Sequence, residues 1–482
     1  MLKKVVILLL VLLLVLPSAS SACTTIIIGR SASADGSLIF GRTADGEVFE
    51  TTQIVTVPAK TLSKPYQFIS QYNGFTIELP AESCQYVMTP AAPAMNMGIW
   101  AESALNEHGV SITATESIYG GEDVLKYDPY VPNGVAEESI PTVVIPYVQT
   151  AREGIERLGG IVTQYGSAEG NGVVIADETE AWYIEIYSGH HWLAIKVPDD
   201  KVAVIANDAL IGCVDTGDSA NVLASPDFWQ LAEEYGFLQE VGGKPHAALT
   251  YGEPHRDYSQ IRIWAGQRYF APSREQDYDV SNTYDMFITP DRPVELQDVM
   301  ELTRYRYEDT KYNVNEHPEW RPIGINRAFT VHLFWYRPDL PIVYWVALAN
   351  SEFSVFLPLY GNLTSTPAAY TYDCETFDAA SAYSVYRWLN TLGSLDRTDW
   401  GYPIRMHWRA MEEALIANMP EMDQAYISSG YSGDVAAQLF RDIAQRALED
   451  ARALTNAVIP KVIDWNIEGM GASAQHDDPS KN

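Results

Sequence analysis

Apolar residues follow three patterns along this chain. The first is at the N-terminus, where Met1-Leu2-Lys3-Lys4 precedes an unbroken apolar run from Val5 to Leu16, followed by Pro17-Ser18-Ala19-Ser20-Ser21-Ala22. A membrane-crossing helix needs about 20 apolar residues, and this run has 12. A basic start, a short apolar centre and small residues at Ser20 and Ala22 predict a secretory signal over residues 1–22, cut after Ala22. The second pattern is β-branched and alternating. Cys23-Thr24-Thr25-Ile26-Ile27-Ile28-Gly29 reads as a buried strand, Asp35-Gly36 as a turn, and Leu38 to Asp45 as the returning strand. Residues 173–207 alternate apolar segments with turns such as Pro198-Asp199-Asp200, which predicts two or three adjacent antiparallel strands.

The third pattern has helical spacing. Ile145, Val148, Ala151, Ile155, Leu158 and Val162 recur at three- and four-residue steps, with Pro141 and Pro146 predicting an irregular start. Residues 405–419 and 434–459, rich in Ala, Leu, Met, Glu and Arg, predict long helices, and the polar residues 466–482 predict a loose tail. Strands and helices interleave without a linker. The expected organisation is a signal over 1–22, a catalytic unit over 23–400, a helical part of that unit over 401–465, and the tail over 466–482.

Composition narrows the possibilities. The 482 residues carry 63 Asp+Glu against 32 Lys+Arg, a net charge of −31. That excess argues against nucleic acid as a partner and against a polybasic membrane surface. A hydrophobic share of 47% supplies a large core and argues against intrinsic disorder. No second segment is long and apolar enough to span a bilayer, and a homo-oligomer is compatible with the sequence. Four cysteines do not make a disulfide scaffold; in an exported chain one pair among Cys84, Cys213 and Cys374 could be bridged. No HExxH or CxxC pattern is present. His190-His191, read as adjacent strand residues, should point to opposite faces. The expectation is therefore no metal and no cofactor. The tyrosines, tryptophans and phenylalanines form no repeated platform and read as core, and Asn362-Leu363-Thr364 is a sequon useful only in a glycosylating host.

Cleavage after Ala22 makes Cys23 the first residue, with a thiol and a free α-amine a few bonds apart. The amine, with an ordinary pKa of about 7.7–8.0, is a base near neutrality, so one residue holds nucleophile and base together. The predicted hairpin returns Arg42 and Asp45 towards Cys23. A guanidinium there should favour the thiolate, and a carboxylate should hold the amine.

Cys23-Thr24-Thr25, then Ala32-Ser33-Ala34-Asp35-Gly36-Ser37 and Gly41-Arg42-Thr43-Ala44-Asp45, resemble the start of the C69 dipeptidases, a family of N-terminal-nucleophile (Ntn) hydrolases related to bile salt hydrolases and penicillin V acylases. The resemblance continues through Asn106-Glu107-His108-Gly109-Val110 to Thr115-Glu116-Ser117, Thr150-Ala151-Arg152-Glu153, Trp182, Glu185, Val204-Ile205-Ala206-Asn207, Arg321-Pro322-Ile323 and Trp345-Val346-Ala347-Leu348. It implies an α+β fold, the four-layer αββα sandwich of two antiparallel sheets with helices outside, extended by the C-terminal helices. It also implies an exported dipeptidase acting through Cys23 and a thioester, with Arg42 and Asp45 flanking the nucleophile. Asn207 would donate to the oxyanion, and Arg262 would be the last active-site arginine, with Arg256 and Arg268 as rivals. Where bile salt hydrolases carry an oxyanion asparagine, this chain has Glu116, whose carboxylate suits the α-ammonium of a dipeptide substrate. Two alternatives stand. One is an amidase acting on N-acyl amides such as a bile salt, a penicillin or an acyl-homoserine lactone. The other is a non-catalytic lipoprotein acylated at Cys23, for which Ser20 replaces the leucine usual three positions before the cysteine.

Overall fold

The structure is a computed structural model and describes residues 23–46, 50–91, 99–372 and 376–476. The expected signal over residues 1–22, Cys374 and residues 477–482 lie outside the described residues. Two antiparallel sheets form the centre. The six-stranded sheet runs in the order Val202–Ile205, Thr24–Ile28, Leu38–Asp45, Ala328–Tyr336, Val343–Leu348 and Leu357–Leu359. The eight-stranded sheet runs Val222–Ala224, Trp192–Lys196, Ala181–Ile186, Asn171–Ala176, Ser111–Glu116, Trp100–Asn106, Tyr86–Ala91 and Val55–Val57. The predicted hairpin forms, with Thr25 opposite Arg42. Gly36 takes the left-handed conformation at φ +77° that its turn needs.

Side chains bridge the two sheets, so they pack face to face. Tyr344 and Ser103 share a hydrogen bond of 2.6 Å, Ser111 and Tyr336 another of 2.6 Å, and His332 Nε2 lies 2.9 Å from Thr113 Oγ1. Burial on both faces explains why Thr24–Ile28 reads as a continuous β-branched run. The strands expected over 173–207 divide between the sheets. Asn171–Ala176, Ala181–Ile186 and Trp192–Lys196 stay in one, while the turn at Pro198-Asp199-Asp200 sends Val202–Ile205 across to pair with Thr24–Ile28. That crossing carries Asn207 to the N-terminal strand.

Helices cover the outer faces. Ala151–Tyr165 packs on the eight-stranded sheet, and Asp257–Phe270, Ala382–Leu395 and Gly433–His476 pack on the six-stranded one. The apolar series beginning at Ile145 is not one helix. A short helix Ile140–Val144 and a 3₁₀ turn Ile145–Tyr147 come first, and the main helix restarts at Ala151. Thr150 caps it by accepting from Glu153 N at 3.2 Å, and Glu153 accepts in turn from Gln149 N at 2.7 Å. The C-terminal helices are longer than predicted, Tyr402–Ser428 and Gly433–His476, and the backbone of the expected loose tail is helical through His476. Buried ion pairs fasten Tyr402–Ser428 to the body: Arg304 to Glu412 at 2.5 Å and Arg337 to Asp423 at 2.9 Å. Cys23, Cys84 and Cys213 are free thiols, so no bridge joins these three.

Gly41 tests the strand register. A Cβ there would lie 1.9 Å from the His332 carbonyl oxygen, so Gly41→Ala must force the two central strands apart. We expect a loss of about 3 kcal/mol or more, read as a lower urea midpoint; an unchanged midpoint would overturn this register.

Candidate active site

Cys23 begins the strand Thr24–Ile28, which lies between the strand bearing Arg42 and the strand leading to Asn207. Main-chain pairing alone therefore brings three of the predicted residues to one end of one sheet. Cys23 is buried, with 3% of its surface exposed.

Arg42 is wholly buried and every part of its guanidinium is engaged. Nη1 donates to Cys23 Sγ at 2.9 Å and to Glu137 Oε1 at 3.3 Å, Nε donates to Thr113 Oγ1 at 3.0 Å, and Nη2 donates to the Glu102 carbonyl oxygen at 2.9 Å and also to its carboxylate. Burial opposes its charge, but Cys23, Glu102 and Glu137 together raise its pKa. Arg42 pulls the thiol towards thiolate, as expected, but the net balance goes the other way. Desolvation pushes Cys23 up to about 11, and the pull of Arg42 is outweighed by burial together with Glu137, Asp45 and Glu102. At neutral pH the Cys23 side chain is therefore a protonated thiol.

Asn207 and Arg262 meet on the other side. Arg262, buried in the helix Asp257–Phe270, donates to the Cys23 carbonyl oxygen at 2.6 Å, to Thr24 Oγ1 at 3.1 Å and to Asn207 Oδ1 at 2.8 Å. Its grip on Oδ1 fixes which way the amide faces, leaving Nδ2 to donate to the Glu116 carbonyl oxygen at 3.3 Å. Burial and the nearby Arg321 charge lower Arg262 to about 10. The rival arginines point elsewhere: Arg256 pairs with Glu253, and Arg268 with Asp309 at 2.7 Å. Glu185, also buried, accepts from Leu210 N at 2.7 Å and Ile211 N at 3.3 Å, which steadies the loop just after Asn207. Asp45 is buried against Arg321, with which it forms an ion pair. Burial nonetheless raises its pKa, against the pull of Arg321, Arg327 and Arg262.

Sequence reasoning missed a cluster of carboxylates. Glu102 and Glu137 sit on Arg42, Glu137 Oε2 accepts from Glu116 N at 2.9 Å, and Glu169 Oε1 accepts from Glu137 N at 2.7 Å. Burial raises all four, with Glu102 and Glu169 reaching about 8 and Glu116 about 7. Glu102 and Glu137 are buried, whereas Glu116 is partly exposed and so able to meet a ligand. Glu102 had a readable signal, a charge in the middle of the apolar strand Trp100–Asn106; Glu137 and Glu169 lie in irregular segments and had none. His190 and His191 do not point to opposite faces. They belong to a turn before the strand at Trp192, and their Nδ1 atoms reach the same Asp128 carboxylate at 2.8 and 2.7 Å.

Sequence comparison shows which hydrolase class this geometry serves: the chain is a peptide hydrolase. It belongs to peptidase family C69, whose pattern matches residues 22–401. It is 33% identical to "Probable dipeptidase B" of Streptococcus pyogenes serotype M1 over 94% of this chain and 95% of that protein. It is also 33% identical to "Probable dipeptidase" of Latilactobacillus sakei, over 76% and 79%. Among solved structures, a conjugated bile acid hydrolase from Clostridium perfringens aligns over 70% of this chain and 92% of its own, at 13% identity and a TM-score of 0.31.

The carboxyl cluster has a consequence for stability. These groups have raised pKa values in the folded protein and ordinary ones, near 4.5, when unfolded, so folding takes up protons between those values. The stability they contribute is complete below about pH 4.5 and is lost as pH rises through about 8. We expect Tm to fall between pH 5 and 8.5 and to fall less in Glu169→Gln, which keeps the acceptor for Glu137 N but cannot ionise. Parallel Tm profiles for the two proteins by calorimetry would refute this.

Proposed function

We propose that the mature chain begins at Cys23 after export and removal of residues 1–22, and that it hydrolyses dipeptides through a thioester on Cys23. The observation that carries this reading is the thiol's surroundings. Among the described residues, the side chain hydrogen-bonded to Cys23 Sγ is Arg42, a guanidinium that cannot accept a proton, and burial keeps the thiol protonated. A base is needed, and the α-amine of a chain starting at Cys23 supplies it in place. The names of the relatives and the family membership support the substrate class.

The steps follow from the geometry. The α-amine takes the thiol proton, and Sγ adds to the scissile carbonyl carbon while the C=O electron pair moves to oxygen. Asn207 Nδ2, its amide oriented by Arg262, donates to that oxyanion. Arg42 stabilises the sulfur while it is anionic. As the intermediate collapses, the Cys23 ammonium returns its proton to the departing amine, leaving the thioester. Water then attacks the thioester, giving up a proton to the α-amine, and the free acid leaves as the thiol re-forms. The partly exposed Glu116 carboxylate receives the substrate's α-ammonium, with Glu137 Oε2 accepting from its backbone N–H behind it. An acidic pocket of this kind disfavours N-acylated substrates, which lack the cation.

Two outcomes test the reading. Cys23→Ala in the mature chain should lower dipeptide hydrolysis by roughly 10⁴-fold or more, and one extra residue before Cys23, which keeps the thiol but turns the amine into an amide, should do nearly the same. Undiminished turnover in the extended chain would rule out the amine as base. Glu116→Gln should cost free dipeptides about 10- to 100-fold in kcat/KM, spare N-acetylated ones, and abolish a rise in KM seen in the parent as pH falls below about 7 and Glu116 takes its proton. Equal losses on both substrate types would assign Glu116 a structural role.

A further inference from the structure

At the far end of the strands Trp100–Asn106 and Ser111–Glu116, the turn Asn106–Gly109 carries Glu107 and His108 up to Cys84. One donor atom from each of the three side chains, a thiol sulfur, a carboxylate oxygen and an imidazole nitrogen, lies within 4.8 Å of the other two. The five residues from Glu102 to Glu107 put this group about 16 Å along the strand from the Arg42 partners, so it stands apart from the peptidase site.

The backbone holding these donors is fixed on both sides. Glu107 N donates to the Gln85 carbonyl oxygen at 2.9 Å, and Gln85 N donates to Glu107 Oε1 at 2.8 Å, a reciprocal pair that joins the turn to the segment bearing Cys84 and orients the carboxylate. Cys84 N donates to the Pro146 carbonyl oxygen at 2.9 Å. Buried Asn106 shapes the turn: its Oδ1 accepts from His108 N at 3.0 Å, and its Nδ2 donates to the carbonyl oxygens of Ile145 and Val148, both at 2.9 Å. Gly109, at φ +79°, closes the turn. Glu107 and His108 are exposed, Cys84 is half-buried, and the turn forms one wall of an open cleft of about 620 Å³. Solvent therefore reaches Glu107 and His108 from the cleft, while Cys84 lies beside them outside its lining, its thiol donating to the Ile145 carbonyl oxygen at 3.7 Å.

We propose that Cys84, Glu107 and His108 form a zinc-binding site. One sulfur, one nitrogen and one oxygen ligand are a donor set zinc accepts, with water from the cleft as the fourth. Tetrahedral zinc needs its donors about 3.3–3.8 Å apart, so donors no more than 4.8 Å apart close by at most about 1.5 Å. On binding, the Cys84 thiol proton passes to solvent, and sulfur, nitrogen and oxygen each donate an electron pair to the ion with no change of oxidation state. The ion ties the Asn106–Gly109 turn to the Cys84 segment. The sequence patterns that had suggested no metal look for repeated Cys or His spacings, and here one ligand lies 23 and 24 residues before the other two.

Cobalt(II) is the probe, because thiolate ligation gives a sulfur-to-metal charge-transfer band in the near ultraviolet and a tetrahedral site gives strong visible bands. The mature protein carrying Cys23→Ala, Cys213→Ser and Cys374→Ser retains Cys84 as its one thiol. We expect it to bind one equivalent of cobalt(II) with both signatures, to release it to zinc(II), to lose the charge-transfer band with Cys84→Ser, and to bind at least about tenfold more weakly with His108→Ala or Glu107→Gln. Absence of the charge-transfer band at saturating cobalt(II), or its survival in the Cys84→Ser chain, overturns the proposal. The otherwise unmodified mature chain gives an independent reading: zinc(II) competition against a chromophoric chelator should differ at least tenfold between it and its His108→Ala variant, and equal affinities would also overturn the site.

Discussion

A guanidinium with no exposed surface is the constraint on which this structure is built. Arg42 rises from the centre of one sheet and is solvated by the other: Thr113 and Glu102 lie on the facing strands, and Glu137 on the segment beyond them. A charge removed from water has to find its hydrogen bonds inside the protein. The two sheets can therefore face each other in only one alignment without stranding it. The Cys23 sulfur is one of the acceptors in that arrangement, so the requirement that seats the arginine also seats the thiol.

The electrostatic character of the site follows from what surrounds that cation. Three carboxylates raise the thiol's affinity for its proton, alongside the larger effect of burial, and Arg42 alone opposes them. Arginines gather on the opposite side instead, where Arg262, Arg321 and Arg327 surround Asp45. The strand bearing Cys23 thus separates a carboxylate-rich side from an arginine-rich one.

The parts of this arrangement that were legible in the sequence are those set by local pattern. The hairpin from Cys23 to Asp45 was readable because β-branched residues flank an Asp-Gly turn, and strand pairing then delivered Arg42 to the sulfur. Asn207 and Arg262 were reached through family resemblance; nothing in their spacing shows that one strand crosses between sheets or that a helix points a buried arginine at a backbone carbonyl. Glu137, Glu169 and Arg321 were not assigned roles, because each reaches the site from an irregular segment whose path depends on tertiary packing. The thiol's protonation was misjudged for a different reason. Charge proximity can be read from motifs, but desolvation is a property of the completed interior. The helix before Tyr165 was placed too early because its apolar period continues through a segment that two prolines break.

The pairing of Leu38–Asp45 with Ala328–Tyr336 also sets a schedule. Asp45 and its ion-pair partner Arg321 are 276 positions apart, and at the usual 5–20 residues per second of synthesis the first waits roughly 14 to 55 s for the second to be made. Until then the N-terminal hairpin lacks the neighbour along its longer strand, and Asp45 lacks its counter-ion. Cys23 is synthesised early, yet the partner of Asp45 and the strand beside its hairpin come only after residue 320. The surroundings of Cys23 therefore cannot close until residue 336 of 482 has been made, and a chain stalled before then holds Cys23 and Arg42 without the strand that pairs with Leu38–Asp45.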